Sequence, residues 1–260
     1  MNKNGFTLVE LIVAIAVGSL IMLAIYSLSE MGQRSSASLS KKIITQQDTR
    51  AVLDIMAMEI RMVSYNPKAI DAGIWVDKDS AVVGAANSNK FMKGIQIANK
   101  NEIMIEMDLN SNGTVYDATK SKCEENEVLH YKYDSADKTI SRETGCGGAG
   151  HTSGLQKILG GAGSDTMVVN NDVNPAVNLF SYWGPDIANP DANHNCADID
   201  ITDKVIADPV KWIPQIRYIV ITIVADTEQA DATTKQKRRM TYSTGVVVRN
   251  HVLSVPIPST

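Results

Sequence analysis

Aromatic residues make up only 5% of the 260 positions. So sparse a set does not build the stacking platform with which proteins hold single-stranded nucleic acid. The four histidines, His130, His151, His194 and His251, are scattered and form no local catalytic signature. Ser153 and Ser164 stand among glycines, but Gly-x-Ser-x-Gly is absent, which removes the strand-turn-helix nucleophile of the hydrolases. The glycine cluster from Gly145 to Gly163 lacks Gly-Lys-Ser/Thr and so is no phosphate loop. His194-Asn195-Cys196-Ala197-Asp198 mixes ligand types without a second Cys or His at zinc spacing, and reads as a surface loop. The net charge of −4 points to neither nucleic acid nor a membrane surface. The basic run Lys235-Gln236-Lys237-Arg238-Arg239 reads as a solvated turn. Taken together, these absences leave no indication of an enzyme or of a nucleic-acid partner.

Proline is also missing, until Pro67. That leaves room for a very long N-terminal helix. From Phe6 to Leu28 the only charged residue is Glu10. Such a run exceeds the roughly 20 apolar residues that cross a bilayer as a helix. It is too long for the apolar core of an ordinary secretory signal. A carboxylate near its start is costly in lipid and implies a functional partner. Beyond Ser35-Ser36-Ala37-Ser38, apolar residues recur at Leu39, Ile43, Ala51, Ile55, Met58 and Met62. That is the amphipathic helix period, and this face is expected to lie against a globular head. Asp48, Arg50 and Glu59 fall on the polar side. The helix is predicted from Phe6 to about Val63, with a bend at Gly32 and Asn66-Pro67 as its stop.

The remainder reads as strands. Candidates are Gly73–Val76, Gly94–Ala98, Glu102–Asp108, Val128–Tyr133, Lys138–Arg142, Val177–Trp183, Ile216–Ala225 and Met240–Val248. Glu102–Asp108 alternates and is expected to be half-buried. Asp134-Ser135-Ala136-Asp137 marks a hairpin turn. Residues 184–211, with Pro185, Pro190 and Pro209, read as a long surface loop. One long helix followed by strands implies an α+β fold, with an antiparallel sheet packed on the helix.

The N-terminus Met1-Asn2-Lys3-Asn4-Gly5, followed by Phe6-Thr7-Leu8-Val9-Glu10-Leu11, resembles the processing signal of type IV prepilins and type II secretion pseudopilins. In the head, the carboxylate-rich turn Asp108–Gly113, the hairpin ending near Arg142 and the closing run Val246-Val247-Val248-Arg249-Asn250 resemble PilW-type minor pilins. They are less similar to J-type pseudopilins. The resemblance implies a leader at 1–5, a membrane or filament-core half-helix at 6–28, an amphipathic half at 29–66 and a β-rich head at 67–260. It implies cleavage by a prepilin peptidase between Gly5 and Phe6, and methylation of the new amino group. Glu10 would then meet the N-terminal charge of a neighbouring subunit during assembly. Implied partners are the prepilin peptidase, other minor and major pilins and the inner membrane. The precursor would hold its head in the periplasm and then join a pilus. A secretion pseudopilin, and a tip adhesin or DNA-uptake pilin, stand as alternatives.

Two local features remain. Asp108-Leu109-Asn110-Ser111-Asn112-Gly113 fits the first half of an EF-hand-type calcium loop, with Asp108, Asn110 and Asn112 as oxygen ligands. Thr119 stands where the bidentate Glu belongs, and Asp117 is its substitute. With two carboxylates at most, affinity would suit extracellular calcium. The rival reading is a polar Asn/Gly turn. There are three cysteines. With Ser135-Ala136 as the turn centre, Cys146 faces residue 125, which favours Cys123–Cys146 as a disulfide. Pairings through Cys196 stay open.

Overall fold

The computed structural model describes residues 7–69, 74–75, 93–117, 122–124, 126–145, 154–189, 198–231 and 234–253. Helix α1 (Leu8–Arg61) is 54 residues long, about 81 Å at 1.5 Å per residue. It runs unbroken through Gly18 and Gly32, with no interruption at the expected bend. A Cβ at either glycine would meet nothing within 4 Å, and neither position is a packing requirement. The helix stops a little before the expected Val63. Ser64 adopts a left-handed φ of 59°, and its N–H bonds to the Glu106 carbonyl at 2.9 Å, which turns the chain into the sheet.

Among the described residues twelve strands follow: β1 (Ile95–Ala98), β2 (Glu102–Glu106), β3 (Tyr116–Asp117), β4 (Lys122–Cys123), β5 (Val128–Asp134), β6 (Thr139–Thr144), β7 (Gln156–Gly160), β8 (Thr166–Val168), β9 (Phe180–Pro185), β10 (Asp198–Asp200), β11 (Tyr218–Thr227) and β12 (Arg239–Val247). Short helices α2 (Thr202–Ala207) and α3 (Pro209–Trp212) separate β10 from β11, and α4 (Arg249–Leu253) follows β12. The expected sheet is in fact two. One has the order β1-β2-β5-β6-β7. The other runs β10-β9-β11-β12, with β8 also paired to β11. The pair β3–β4 is separate, and all pairings are antiparallel. Backbone bonds join the two main sheets. The Phe180 N–H donates to the Lys100 carbonyl at 2.9 Å, and the Val168 N–H to the Lys138 carbonyl at 3.0 Å.

The distal half of α1 lies on both main sheets, but not by the face expected. Leu39, Ile43, Ala51, Ile55 and Met58 are exposed, and Met62 sits at the solvent edge. The buried face carries Thr45, Thr49, Val52, Leu53, Met56, Ala57 and Ile60. It lies against β11 and β12 of one sheet and β7 of the other, and its apolar residues share one core with Tyr131, Phe180, Tyr182, Ile219, Ile221 and Ile223. This half of the helix therefore has two apolar faces, and a periodicity reading cannot tell which the head covers. The threonines gave the buried face a polar look, yet each hydroxyl is satisfied. Thr49 Oγ1 donates to the Thr45 carbonyl at 2.7 Å, and Thr45 Oγ1 to the Asp165 carbonyl at 3.2 Å.

Two other expectations are corrected. Strand β2 is not half-buried. Ile103 and Ile105 face the main core, while Met104 packs in a second cluster with Ile74, Trp75, Val115, Cys123 and Val128. Covering both faces removes the polar side that alternation implied. Residues 184–211 are not simply a loop. They contain β10, α2 and the start of α3, and Ile201 and Val205 are fully buried. The Thr202 hydroxyl accepts the Tyr182 N–H at 2.8 Å, tying α2 to β9. Of the strand expected at 73–76, only Ile74 and Trp75 are described, and they form a bend.

Candidate functional site: the N-terminal helix and its junction with the head

Thr7 caps α1, and Glu10 completes a capping box. The Thr7 Oγ1 accepts the Glu10 N–H at 3.3 Å, while the Glu10 carboxylate accepts the Thr7 N–H at 2.9 Å and its hydroxyl at 3.0 Å. Threonine three residues before glutamate signals this in the sequence, yet Glu10 was expected to need an intermolecular partner. Within one chain its partner is the start of its own helix. Gly5 and Phe6, the expected cleavage pair, lie outside the described residues.

From Leu8 to Leu28 the helix is exposed on every side. That length is about 32 Å, which matches a hydrocarbon layer of about 30 Å. By length and composition α1 is long and apolar enough to cross a membrane. Further along, the Ser38 hydroxyl donates to Asp231 Oδ2 of the head at 2.7 Å. Lys41 then reaches Asp165 at 3.8 Å and bonds Gln229. Arg50 lies over the Tyr242 ring, 5.4 Å from its centroid.

The strongest polar contact between helix and head is at Glu59, which was expected on the solvent side. Arg142 of β6 donates to it twice, from Nη2 at 2.7 Å and from Nε at 3.1 Å, and the Tyr131 hydroxyl donates to the same carboxylate. The hydrogen bond to Glu59 raises the Arg142 pKa, and burial raises that of Tyr131. At the far end of the head, His251 is fully buried. Its Nε2 donates to the Ile213 carbonyl at 2.8 Å, so Nδ1 accepts from the Ser64 hydroxyl at 2.9 Å. Burial lowers its pKa to about 4.

The turn expected to hold calcium is internally bonded. Asp108 accepts the N–H groups of Asn112 at 3.1 Å and Gly113 at 3.0 Å. Asn110 Oδ1 accepts the Asn112 N–H at 2.8 Å, and Asn112 Oδ1 the Thr114 N–H at 2.9 Å. Left-handed φ angles at Ser111 (60°) and Gly113 (92°) curl the chain around Asp108. Asp117 sits on β3. A residue the sequence reading missed, Glu127, closes the turn from below. Its Oε1 accepts the Asn110 N–H at 2.9 Å, while Oε2 is buried with no hydrogen-bond partner among the described residues. Burial pushes this carboxyl up, the Asn110 N–H opposes the shift, and Asp108 and Glu124 add to it. Among the described residues no group of three or more His, Cys, Asp or Glu is placed to hold a metal ion.

Cys123 is disulfide-bonded and buried, on the small β3–β4 hairpin opposite Tyr116. Cys146 and Cys196 lie outside the described residues. The hairpin register differs from that expected. Asp134 faces Thr139 and Leu129 faces Thr144, so the turn is longer and every pairing moves by two residues. In the basic run, Arg238 pairs with Asp231 at 2.8 Å, and Arg239 holds Asp226 through two bonds at 2.9 and 2.8 Å.

A long apolar helix, bare at its start and seated at its end on antiparallel sheets, defines a pilin-like protein of the type IV prepilin class. Residues 1–26 match the prokaryotic N-terminal methylation motif. Residues 38–242 match the family of prepilin peptidase-dependent protein B, and the chain belongs to that family. No curated protein matches the chain. Among solved structures it is similar to the type IV-like pilin TTHA1219 from Thermus thermophilus, with 9% identity and a TM-score of 0.39, over 79% of this chain and 96% of the other. The chain is thus a prepilin peptidase-dependent, type IV pilin-like protein, and its N-terminal apolar helix is consistent with a membrane anchor.

Proposed function

We propose that this protein is a minor pilin of a bacterial type IV pilus, acting in pilus priming or at the tip. The observation that carries this reading is an apolar rod, bare on every side, joined to a folded head through Glu59, Arg142 and Tyr131. Such a rod is stable in lipid or among other apolar helices, and moving between the two is what assembly requires. Cleavage between Gly5 and Phe6 would free an amino group beside the Thr7–Glu10 cap. Glu10 could then exchange its own helix start for a neighbour's charged terminus.

Calcium at Asp108, Asn110, Asn112 and Asp117 belongs to the same proposal. What supports it is the gathering of Asp108, Asn110 and Asn112 oxygens on one curled turn, beside Oε2 of Glu127, which has no hydrogen-bond partner among the described residues. A Cys123–Cys146 disulfide would fasten the β3–β4 hairpin to the strand that follows β5.

The test is deletion of the gene, with mass spectrometry of the protein from an intact strain. The mature chain should begin at N-methylated Phe6, and deletion should sharply reduce sheared surface pili. An intact Met1, or a cut beyond Ala24, would remove the pilin reading. Normal pili with failed export of folded proteins would assign the chain to a type II secretion pseudopilus. Normal pili that no longer bind a surface or DNA would assign it to the adhesin or uptake class, with the loops around 68–100 and 184–211 as the binding segments.

A further inference from the structure

The basic run at the β11–β12 connection is more than a solvated turn. Its Arg238 joins Arg34 and Lys41 of α1 around a cavity of about 150 Å³ between helix and head. Ala37 and Ser38 line it from the helix, and Gln229, Ala230 and Asp231 from the connection. We propose that this cavity takes the phosphate of an anionic phospholipid headgroup, from the membrane that holds the span. The inference rests on the pilin reading above through the span alone, and adds a ligand site which that reading does not contain.

Size, charge and level select this ligand. The cavity holds about five waters' worth of space, well below the roughly 300–1,000 Å³ of sites for drug-sized molecules, and suits a single anionic group. Three cations line it against one carboxylate, which is already engaged. Asp231 Oδ2 accepts from the Ser38 hydroxyl at 2.7 Å and from Arg238 Nη2 at 2.8 Å. Arg34 is held by Glu30, one helical turn back, and both side chains are largely exposed. Such a surface pair is weak enough for a phosphate to compete. Lys41 bonds Gln229 and lies 3.8 Å from Asp165. Residues 29–42 and 228–238 carry Arg34, Lys41, Lys42, Lys235, Lys237 and Arg238 against Glu30, Glu228 and Asp231. Asp165 brings that balance to +2, in a chain whose total is −4. Lys235 and Lys237 are exposed and pair with no carboxylate among the described residues.

The level points to lipid. Arg34 stands six residues beyond Leu28, about 9 Å along the axis, where the headgroup layer of about 5–8 Å ends. Helical side chains lean toward the N-terminus, so Arg34 and Lys41 reach back toward the bilayer. A tilt of about 20°, the average for membrane helices, lowers the head further on one side. Basic groups beside a span attract anionic lipid within a Debye length of about 8 Å. A soluble phosphate compound would gain nothing from a site at this height.

The test reconstitutes the full chain in nanodiscs of equal parts phosphatidylcholine and phosphatidylglycerol. Native mass spectrometry of the released chain counts the lipids it keeps. Phosphatidylglycerol should be retained at least tenfold over phosphatidylcholine. Arg34→Gln/Lys41→Gln/Arg238→Gln should abolish that preference. Lys235→Gln/Lys237→Gln, which alters exposed side chains only, should lower it severalfold with the melting temperature unchanged. Lys68→Gln/Lys132→Gln/Lys211→Gln, the same change in charge at other exposed lysines, should leave it intact. An equal loss in this last variant would reduce the effect to general charge attraction and overturn the site. No preference in a chain whose span is protected from protease by the disc would overturn it and leave the pilin reading intact. Failure of the span to enter the disc would take the membrane anchor down as well. In discs of phosphatidylcholine alone, a rise in melting temperature with millimolar inorganic phosphate, matching that given by phosphatidylglycerol, would make this a site for free anions and overturn the lipid assignment. Loss of surface pili in the first variant, with no lipid preference in the wild type, would assign the cavity to an acidic partner protein instead.

Discussion

Glu59 of α1 and Arg142 of β6 form a two-bond ion pair, at 2.7 and 3.1 Å, across the joint between helix and head. The side chains are only 17% and 24% exposed, and the Tyr131 hydroxyl adds a third donor to the carboxylate. Replacing Glu59 with alanine leaves a guanidinium and a phenol without their acceptor in a largely dry setting. Glu59→Ala is expected to cost about 2–3 kcal/mol, discounted from the fully buried case because the pair is not sealed from water. Glu59→Gln should cost less, since an amide oxygen still accepts. Urea unfolding of the detergent-solubilised chain measures both. A loss under about 0.5 kcal/mol for the alanine variant would mean the joint is held by apolar packing alone.

Stability should also fall in acid through His251. Burial places its folded pKa at about 4, below the ordinary value of 6.5. Between these values the unfolded chain binds a proton that the folded chain does not, so stability declines as pH drops through the window. Below about 4 this contribution is fully lost. Its full extent is on the order of 3 kcal/mol. His251→Gln should flatten the pH dependence between 6.5 and 4, whatever it does to stability at pH 7. Parallel curves for wild type and variant would show that folding does not depress the His251 pKa.

The Asp108 turn separates its two readings by melting temperature. If calcium binds, Asp108→Ala should lower the melting temperature by several degrees in millimolar calcium and much less with chelator, and Glu127→Gln should weaken the calcium response. If the turn stands on its own bonds, Asp108→Ala frees the Asn112 and Gly113 N–H groups and costs about 1–2 kcal/mol under both conditions.

What the sequence made legible follows the strength of its patterns. The run that became β11 is long, apolar and β-branched, and β12 pairs with it from Tyr218 to Asp226. The single helix followed by antiparallel strands was also legible, because no proline interrupts the first 66 residues. Harder cases arose where two signals overlap. Three prolines and many polar residues hid Ile201 and Val205, whose burial comes from contacts distant in sequence. Strands β7 and β8 were obscured by the glycines around them, although the left-handed φ of 84° at Gly160 and the close approach of the Lys138 carbonyl need glycine there. The face of α1 that meets the head was misread because both faces carry an apolar stripe. Glu127 could not be linked to Asp108 before the backbone brought them together.

Glu10→Ala tests the N-terminal half most directly. Removing the carboxylate makes the span more apolar, so membrane insertion should be unchanged or improved. The capping box disappears, and the first turn of α1 should fray, since the Thr7 N–H loses its acceptor. The head should be unaffected, because the hydrogen bond that ties it to the helix at Ser38 lies 28 residues further on. Assembly is where the variant is expected to fail, since a neighbour's charged terminus would find no carboxylate in an apolar filament core. Glu10→Gln sharpens the comparison. It retains a carbonyl oxygen that can accept from Thr7, but carries no charge. If capping is what matters, Glu10→Gln should incorporate into pili nearly as well as wild type. If charge pairing matters, it should fail as completely as Glu10→Ala. Protein level, membrane fraction and recovery in sheared pili give the readout. Normal incorporation of both variants at normal expression would exclude Glu10 as the contact that sets subunit register.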